Sequence, residues 1–320
     1  MRRTTSPISV ASLFASLAFA GACSGISPVP ETTAAQAPEE HTETRLEGRI
    51  WLVREARFAT RAELEARLSA TRFVLLGELH GHPEHHRLQA ELITAMVANG
   101  RRPVVAMEQF DTDQAAALAA FQPAPPEAAA GLGEAVGWED SGWPDWSRYQ
   151  PIAEAAFRYE LPLIAANLPR RAVRAVAMDG QDPRTLQDVQ PAALDTPRPA
   201  AAKARLRDIL MASHCHDLPQ TVIDRMVLAQ RVRDVVMAQR LHDAASGLDG
   251  GVLIAGNGHV DRGFGVPQDL RNLGEHDVFS LALLPTTPGQ DLPDTDAGEY
   301  DAIWFTGPHP EQPPDPCEGR

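Results

Sequence analysis

Two short sequences of the same kind could supply most of the chemistry of this chain. Gly-Glu-Leu-His ends at His80 directly after the apolar run of residues 73–76, and Gly-Asn-Gly-His ends at His259 after the apolar run of residues 252–255. Continuous apolar runs are typical of parallel strands covered on both faces, and such sheets bind ligands at the carboxyl ends of their strands. We therefore predict that the two imidazoles lie at one edge of a sheet.

Acidic side chains follow the same pattern. Glu78 lies two residues before His80, on the same side of an extended segment, and Glu108 ends the predicted strand of residues 103–108. A carboxylate with an imidazole can transfer protons or bind zinc or manganese. Together with His259, these residues would be the catalytic groups of a hydrolase or the ligands of a divalent metal. Taken singly, each histidine could be a loop residue and each glutamate a helix cap, so the interpretation depends on convergence.

Other polar residues are weaker candidates for this edge. Asn167 and Asn257 follow two further predicted strands and would add amides. Tyr149 could ligate ferric haem through its oxygen, although aromatic residues near Trp143 and Trp146 are more often part of a core.

Three clusters on predicted helices each have two interpretations. Histidines crowd the start of one helix, where they are either solvated or support the site, at His82, His85 and His86 with Gln89. The Ser-His-Cys-His sequence of residues 213–216 either binds a metal or haem through His214 or forms an ordinary loop. A long helix carries polar residues three or four apart that either line the crevice or form a charged surface, at Gln230, Arg233 and Asp234 with Met237.

The elements that would position these residues alternate between strands and helices. Strands are predicted at residues 48–53, 73–76, 103–108, 161–167, 252–255, 278–284 and 302–305, and helices at 62–69, 85–99, 111–121, 146–159, 217–245 and 267–273. Residues 122–137 would form a connection and residues 179–202 a surface excursion. This alternation predicts a single α/β domain with a mostly parallel central sheet flanked by helices.

The first residues are typical of an export signal. A basic start and an apolar stretch lead to Ala-Gly-Ala-Cys, which is similar to a bacterial lipobox ending at Cys23. Because Ala20 replaces the usual leucine, ordinary signal-peptidase cleavage is the alternative. We expect residues 1–22 to be a signal peptide, residues 23–45 a disordered tether and residues 46–285 the folded domain, followed by a Pro- and Asp-rich extension at residues 286–320.

Charge and cysteine content limit the partners and the compartment. The chain has 29 basic and 43 acidic residues and a net charge of −14, which argues against a nucleic-acid partner because such a partner needs a basic surface. Export would allow a bond between Cys215 and Cys317, although two cysteines do not define a disulfide framework.

A set of motifs in a fixed order resembles the ChaN family of bacterial haem-binding lipoproteins, in the Tiki superfamily. The motifs are LLGELH at residues 75–80, HRLQ at 86–89, ME at 107–108, Trp-x-x-Tyr at 146–149, AANLPR at 165–170, HC at 214–215, QRVRD at 230–234 and AGNGH at 255–259. The resemblance covers most of residues 48–285.

The resemblance implies an α/β fold and a lipoprotein that faces the periplasm and takes part in haem and iron uptake. It implies haem bound through a tyrosine, in a dimer, and Tyr149 matches the tyrosine of the family's Trp-x-x-Tyr motif. His80, His214 and His259 are the other candidate residues for haem binding. Erythromycin esterases and Tiki proteases of the same superfamily imply hydrolysis instead, so whether the protein is an enzyme stays open. A structural envelope lipoprotein is the third interpretation.

Overall fold

The apolar runs pair as strands of one eight-stranded sheet. The computed structural model describes residues 46–287, 289–290, 293, 298–311 and 317. The strands are β1 Ile50–Leu52, β2 Arg57–Ala59, β3 Phe73–Glu78, β4 Val104–Asp111, β5 Leu163–Asn167, β6 Gly251–Gly256, β7 Val278–Pro285 and β8 Ala302–Thr306. Their order in the sheet is β2-β1-β8-β7-β3-β6-β4-β5.

Parallel pairing dominates the sheet. The strands β8, β7, β3, β6, β4 and β5 are parallel neighbours, whereas β1 is antiparallel to both β8 and β2. All six parallel strands therefore end at one edge, which we call the carboxyl edge. The predicted single α/β domain with a mostly parallel sheet is confirmed.

Helices cover both faces of the sheet. They are α1 Arg61–Ala70, α2 Pro83–Ala98, α3 Ala115–Phe121, α4 Ala129–Ala135, α5 Trp146–Arg158, α6 Arg170–Arg174, α7 Ala200–Ser213, α8 Gln220–Ala244, α9 Asn257–Val260 and α10 Val266–Asn272. Short 3₁₀ turns and a π-helical turn at Ala175–Asp179 lie between them. Within the described residues, no helix is long and apolar enough to cross a membrane.

The core has two layers because β3 is buried on both faces. Val74 and Leu76 pack into the layer formed with α1 to α5, while Phe73 and Leu75 pack into the layer that includes α8 and α10. Alternate residues of a strand point to opposite faces, so a continuous apolar run is what a two-sided core requires.

Several elements differ from the sequence-based prediction. The predicted connection at residues 122–137 contains α4, and the helix α7 was not predicted, although Leu206 and Leu210 lie four residues apart on its buried side. Polar and alanine-rich sequence masks a short helix because only one narrow stripe needs to be apolar.

The segment after residue 285 contributes to the sheet. The predicted strand at residues 302–305 is present as β8, which lies between β1 and β7, inside the sheet and beyond the domain boundary placed at residue 285. Cys215 and Cys317 form a disulfide, which the cysteine count alone did not settle. The signal peptide, Cys23 and the tether lie outside the described residues.

Candidate functional site

Strand register brings the two Gly-x-x-His sequences together. In the parallel pair of β3 and β6, Phe73 is opposite Gly251 and Glu78 is opposite Gly256, so both strands end at the same level. A Cβ added to Gly256 would lie 2.8 Å from Nε2 of His80, so the close approach of this imidazole depends on glycine.

Glu78 is a buried carboxylate surrounded by hydrogen-bond donors. Its Oε1 accepts from Nδ1 of His80 at 2.8 Å, from Nε2 of Gln109 at 2.9 Å and from the hydroxyl of Tyr149 at 3.3 Å. Its Oε2 lies 3.3 Å from Nε2 of His86. Burial alone would raise the pKa of Glu78, but His86 and His80 hold this pKa well below its usual range. Glu78 is therefore a permanent anion that orients His80.

His80 is the part of this cluster that reaches solvent. Its side chain is 22% exposed and packs edge-on against Trp143, with 4.8 Å between ring centroids. Its Nε2 lies 3.9 Å from Oε1 of Glu108. Burial would lower the pKa of His80, but the carboxylates of Glu108 and Glu78 raise it above its usual value. The imidazole is therefore favoured in its charged form between two anions.

Glu108 lies at the centre of the carboxyl edge. Its Oε1 accepts a hydrogen bond from Nη2 of Arg233, and its Oε2 accepts one from the backbone N–H of Gly256 at 2.7 Å. Burial would raise the pKa of Glu108, but the neighbouring His259 and Arg233 lower it to about 2. The pair with Arg233 ties strand β4 to helix α8.

His259 mirrors His80 on the other side of Glu108. Its Nδ1 donates to Oδ1 of Asp234 at 2.6 Å, and its Nε2 lies 3.6 Å from Oε1 of Glu108. Two imidazoles, each supported by its own carboxylate, thus face one shared carboxylate. The predicted convergence of Glu78, His80, Glu108 and His259 is present in the structure.

The polar face of α8 lines this site. Arg233 donates through Nε to Oδ1 of Asn167 at 3.1 Å and through Nη1 to Oε1 of Gln230 at 3.0 Å. The alternative that this face is a charged surface does not fit, since Asp234 and Met237 are buried. Asn167 therefore holds the arginine that pairs with Glu108.

Several residues of the site were not predicted. Gln109 and Trp143 contact Glu78 and His80 as described, and Arg198 extends the network behind His259. The guanidinium of Arg198 lies 3.7 Å from Asp234 and pairs with Asp269. Gln109 points to the site although it is adjacent to Glu108 in sequence, and Arg198 comes from the segment predicted as a surface excursion. Pattern alone carried no signal for either residue.

A metal-binding arrangement of these four residues is not supported. Within the residues described, no group of three or more histidines, cysteines, aspartates or glutamates is placed to hold a metal ion. The physical reason is that both Nδ1 atoms are hydrogen-bonded to Glu78 and Asp234, while Oε1 of Glu108 is occupied by Arg233. The expectation of a divalent metal at Glu78, His80, Glu108 and His259 is thereby corrected.

Tyr149 lies in the core beneath the site. Its side chain is 0% exposed, and its hydroxyl accepts from the N–H of Gly81 at 3.2 Å while donating to Glu78. Burial and the charge of Glu78 raise the pKa of Tyr149 well above its usual value, which disfavours the phenolate that iron would bind. In this conformation its oxygen does not reach the surface.

The histidines at the start of α2 have different environments. His86 stacks at 4.0 Å on the ring of Tyr149 next to Glu78, as expected for a supporting residue. His82 and His85 instead stack on each other, and they contact the carbonyl of Gly307 and the hydroxyl of Thr306 after β8. Burial lowers the pKa of His82 to about 4, so both imidazoles hold the C-terminal strand as neutral groups.

His214 lies apart from the carboxyl edge, in the turn between α7 and α8. Its Nδ1 lies 2.8 Å from the carbonyl oxygen of Leu210, and His216 is exposed two residues later. The partly buried apolar residues nearby include Met211 and Leu218. We call residues 213–218 the α7–α8 turn.

Concavity does not coincide with the carboxyl edge. A shallow depression of about 410 Å³ is lined by residues that precede the parallel strands, such as Arg72, Arg101, Asp249 and Asp277. It therefore lies at the opposite edge of the sheet. Arg101 there donates to the carbonyl oxygens of Leu68, Arg72 and Asp249, as a structural residue would. We assign no chemistry to this depression.

The substitution Glu108→Gln should destabilise the protein by about 3 kcal/mol at pH 7, because it leaves the buried Arg233 without its charge partner. The pKa of Glu108 is below its unfolded value, so its stabilisation is present above about pH 4.5 and lost as the pH falls toward 2. The difference in free energy of unfolding from the wild type should narrow over that range, as measured by urea unfolding at a series of pH values. The control is Glu127→Gln at an exposed position. A pH-independent difference, or one equal to that of the control, would contradict this account.

Three solved structures are similar to the chain in fold. The structure of cofacial haem binding to ChaN of Campylobacter jejuni is 19% identical, with a TM-score of 0.61, and the alignment covers 80% of this chain and 95% of that chain. The type III effector HopBA1 is 14% identical with a TM-score of 0.41, covering 77% and 92% of the two chains. A mutant erythromycin esterase in its open conformation is 17% identical with a TM-score of 0.40, covering 82% and 83%.

Membership of a family rests on the sequence. No curated protein matches the chain. A family model described as haem-binding uptake, Tiki superfamily, ChaN matches residues 64–270, which include every strand end of the candidate site. The chain therefore belongs to the ChaN family of haem-binding uptake proteins in the Tiki superfamily.

Proposed function

We propose that this protein is an exported, lipid-anchored haem-binding protein that takes part in haem and iron uptake. The observation that supports the proposal most directly is the family match over residues 64–270. The similar fold of the Campylobacter jejuni protein, whose structure is described as binding haem cofacially, is consistent with it. A cofacial arrangement here would need a second copy of the chain, so a homodimer is part of the proposal.

The carboxyl edge fits haem poorly. Its polar atoms are already paired with one another, and the ligand atom of Tyr149 is inside the core. A macrocycle needs an apolar surface and an accessible donor atom for iron. His80 is the exception because part of its ring is exposed, but both of its nitrogens face carboxylates.

The α7–α8 turn fits haem better. It presents His216 on the surface and His214 with its Nδ1 directed at a backbone carbonyl, an orientation common among metal-binding histidines. Met211, Leu218 and Met226 provide apolar surface around them. Imidazole is a common axial ligand of haem iron, and bound haem would supply the iron that is carried.

Hemin titration with an absorption readout tests this assignment. The wild type should give a saturable Soret change, and the double substitution His214→Ala with His216→Ala should weaken affinity at least tenfold because it removes both imidazoles. The matched control His276→Ala removes an exposed histidine at the opposite edge and should bind as the wild type does.

The alternative ligand is tested in the same titration. Tyr149→Phe should retain binding, since its oxygen is buried. Loss of the Soret change in Tyr149→Phe together with unchanged binding in the histidine variant would assign the iron to Tyr149 instead. A wild type without saturable binding would reject haem as the ligand.

Export and anchoring are supported by the sequence that ends at Cys23. A lipidated Cys23 would attach the protein to a membrane facing the periplasm without spanning it, and a single acyl chain anchors weakly unless a second signal is present. After detergent phase separation, the full-length protein from bacterial membranes should enter the detergent phase, whereas Cys23→Ser should stay in the aqueous phase. Cys317→Ser is the matched control and should partition like the wild type. Aqueous wild-type protein would favour ordinary signal-peptidase cleavage.

A second candidate function is hydrolysis at the carboxyl edge without a metal. The supporting observation is that His80 and His259, each held by its own carboxylate, face Glu108 within 4 Å. Paired imidazoles of this kind can deliver a proton to a leaving group and take one from water. The partly exposed ring of His80 is where a substrate would make contact.

Ester hydrolysis in buffer containing a chelator tests this second function. If it operates, His80→Ala and His259→Ala should each lower kcat at least about a hundredfold, which is the usual loss for a proton-transfer group, and His276→Ala should not. A wild type that hydrolyses no member of an ester and peptide panel would reject the hydrolase.

A further inference from the structure

One disulfide lies within the proposed haem-binding turn. Cys215 stands between His214 and His216 and is bonded to Cys317, which is 102 residues later in the chain, with 5.4 Å between the Cα atoms. The bond therefore ties the C-terminal tail to the residues that carry both candidate imidazoles.

The backbone of this turn is in a conformation that its residues rarely adopt. Cys215 has φ +58° and His216 has φ +60°, and these are two of four non-glycine residues with positive φ in the part of the chain described. Helices commonly end with one left-handed residue, usually glycine, and here two side-chain-bearing residues follow each other. Such a turn persists only where its surroundings determine it.

Three interactions determine this turn. The N–H of Cys215 donates to the carbonyl of Ala212 at 3.1 Å, and the N–H of His216 donates to the carbonyl of Met211 at 2.9 Å. The third is the disulfide. The two hydrogen bonds are within one helix end and are exposed to competition from water, whereas the covalent bond holds Cys215 from outside the helix.

The packing of the turn makes it independent of the main core. Residues of α7 and α8 next to it belong to a small apolar cluster around Leu206, Leu210 and Ile223, separate from the two layers on the sheet. A change in this turn can therefore occur without unfolding the sheet, as in local opening of a weakly packed segment.

We propose that the bond between Cys215 and Cys317 is a redox gate on haem binding, an inference that rests on the proposed haem site. In the oxidised protein, the disulfide holds His214 and His216 in place. A dithiol reductant breaks the S–S bond, and the two sulfurs take up two electrons and two protons while the dithiol becomes a disulfide. The turn then leaves its left-handed conformation, the imidazoles lose their fixed positions, and haem is released.

Hemin titration of three forms of the full chain tests the gate. The forms are the oxidised wild type, the wild type reduced with a dithiol and desalted, and the double variant Cys215→Ala with Cys317→Ala, which avoids free thiols as ligands. Oxidised protein should bind hemin at least ten times more tightly than the other two. Equal affinities in all three forms would overturn the gate and leave the proposed function intact, while no saturable binding in any form would overturn the proposed function itself.

Amide hydrogen exchange supplies a measurement that does not depend on haem. Residues 211–218 should exchange faster in the reduced and double-variant proteins, while β3 and β6 keep the protection of the oxidised form. Unchanged exchange at residues 211–218 would overturn the gate whatever the titration shows. Faster exchange throughout β3 and β6 would also overturn it, because reduction would then unfold the protein rather than open the turn.

Discussion

The parallel pairing of β3 with β6 is the constraint on which the candidate site depends. Its register sets Glu78 level with Gly256, and the missing side chain at Gly256 lets His80 approach the backbone of the neighbouring strand. A slip of one residue would turn every side chain of β3 to the other face. The two-sided core prevents such a slip, because Val74 and Phe73 already occupy different apolar layers.

Charge balance explains why the site is so tightly connected. Glu78, Glu108 and Asp234 are buried carboxylates, and an isolated buried charge is costly. Arg233 and the imidazoles neutralise them, so each functional group is also a structural one. This double role is the physical reason why the edge has little capacity left for a metal ion, and why the proposed haem site lies away from it.

Sequence reasoning located the strands because buried parallel strands have an unmistakable apolar signature. It also located Glu78, Glu108 and both edge histidines, since residues at strand ends in a parallel sheet must share an edge. It could not assign Gln109, Trp143 or Arg198, whose roles depend on distances between segments far apart in sequence. Tyr149 shows a further limit, because spacing identifies a matching residue but not whether its oxygen faces solvent. The positions of α7 and the disulfide were likewise set by tertiary packing, which one sequence does not reveal.

The position of β8 has a consequence for how the molecule is made. Because β8 separates β1 from β7, the N-terminal strands have no partner in the main sheet until residues 302–306 have left the ribosome. The polypeptide cannot finish its sheet during synthesis, so almost its whole length stays open for transport in an extended state. A stop codon shortly before residue 302 would leave β7 with a bare edge and a detached β1–β2 hairpin, a species prone to pair with strands of other molecules.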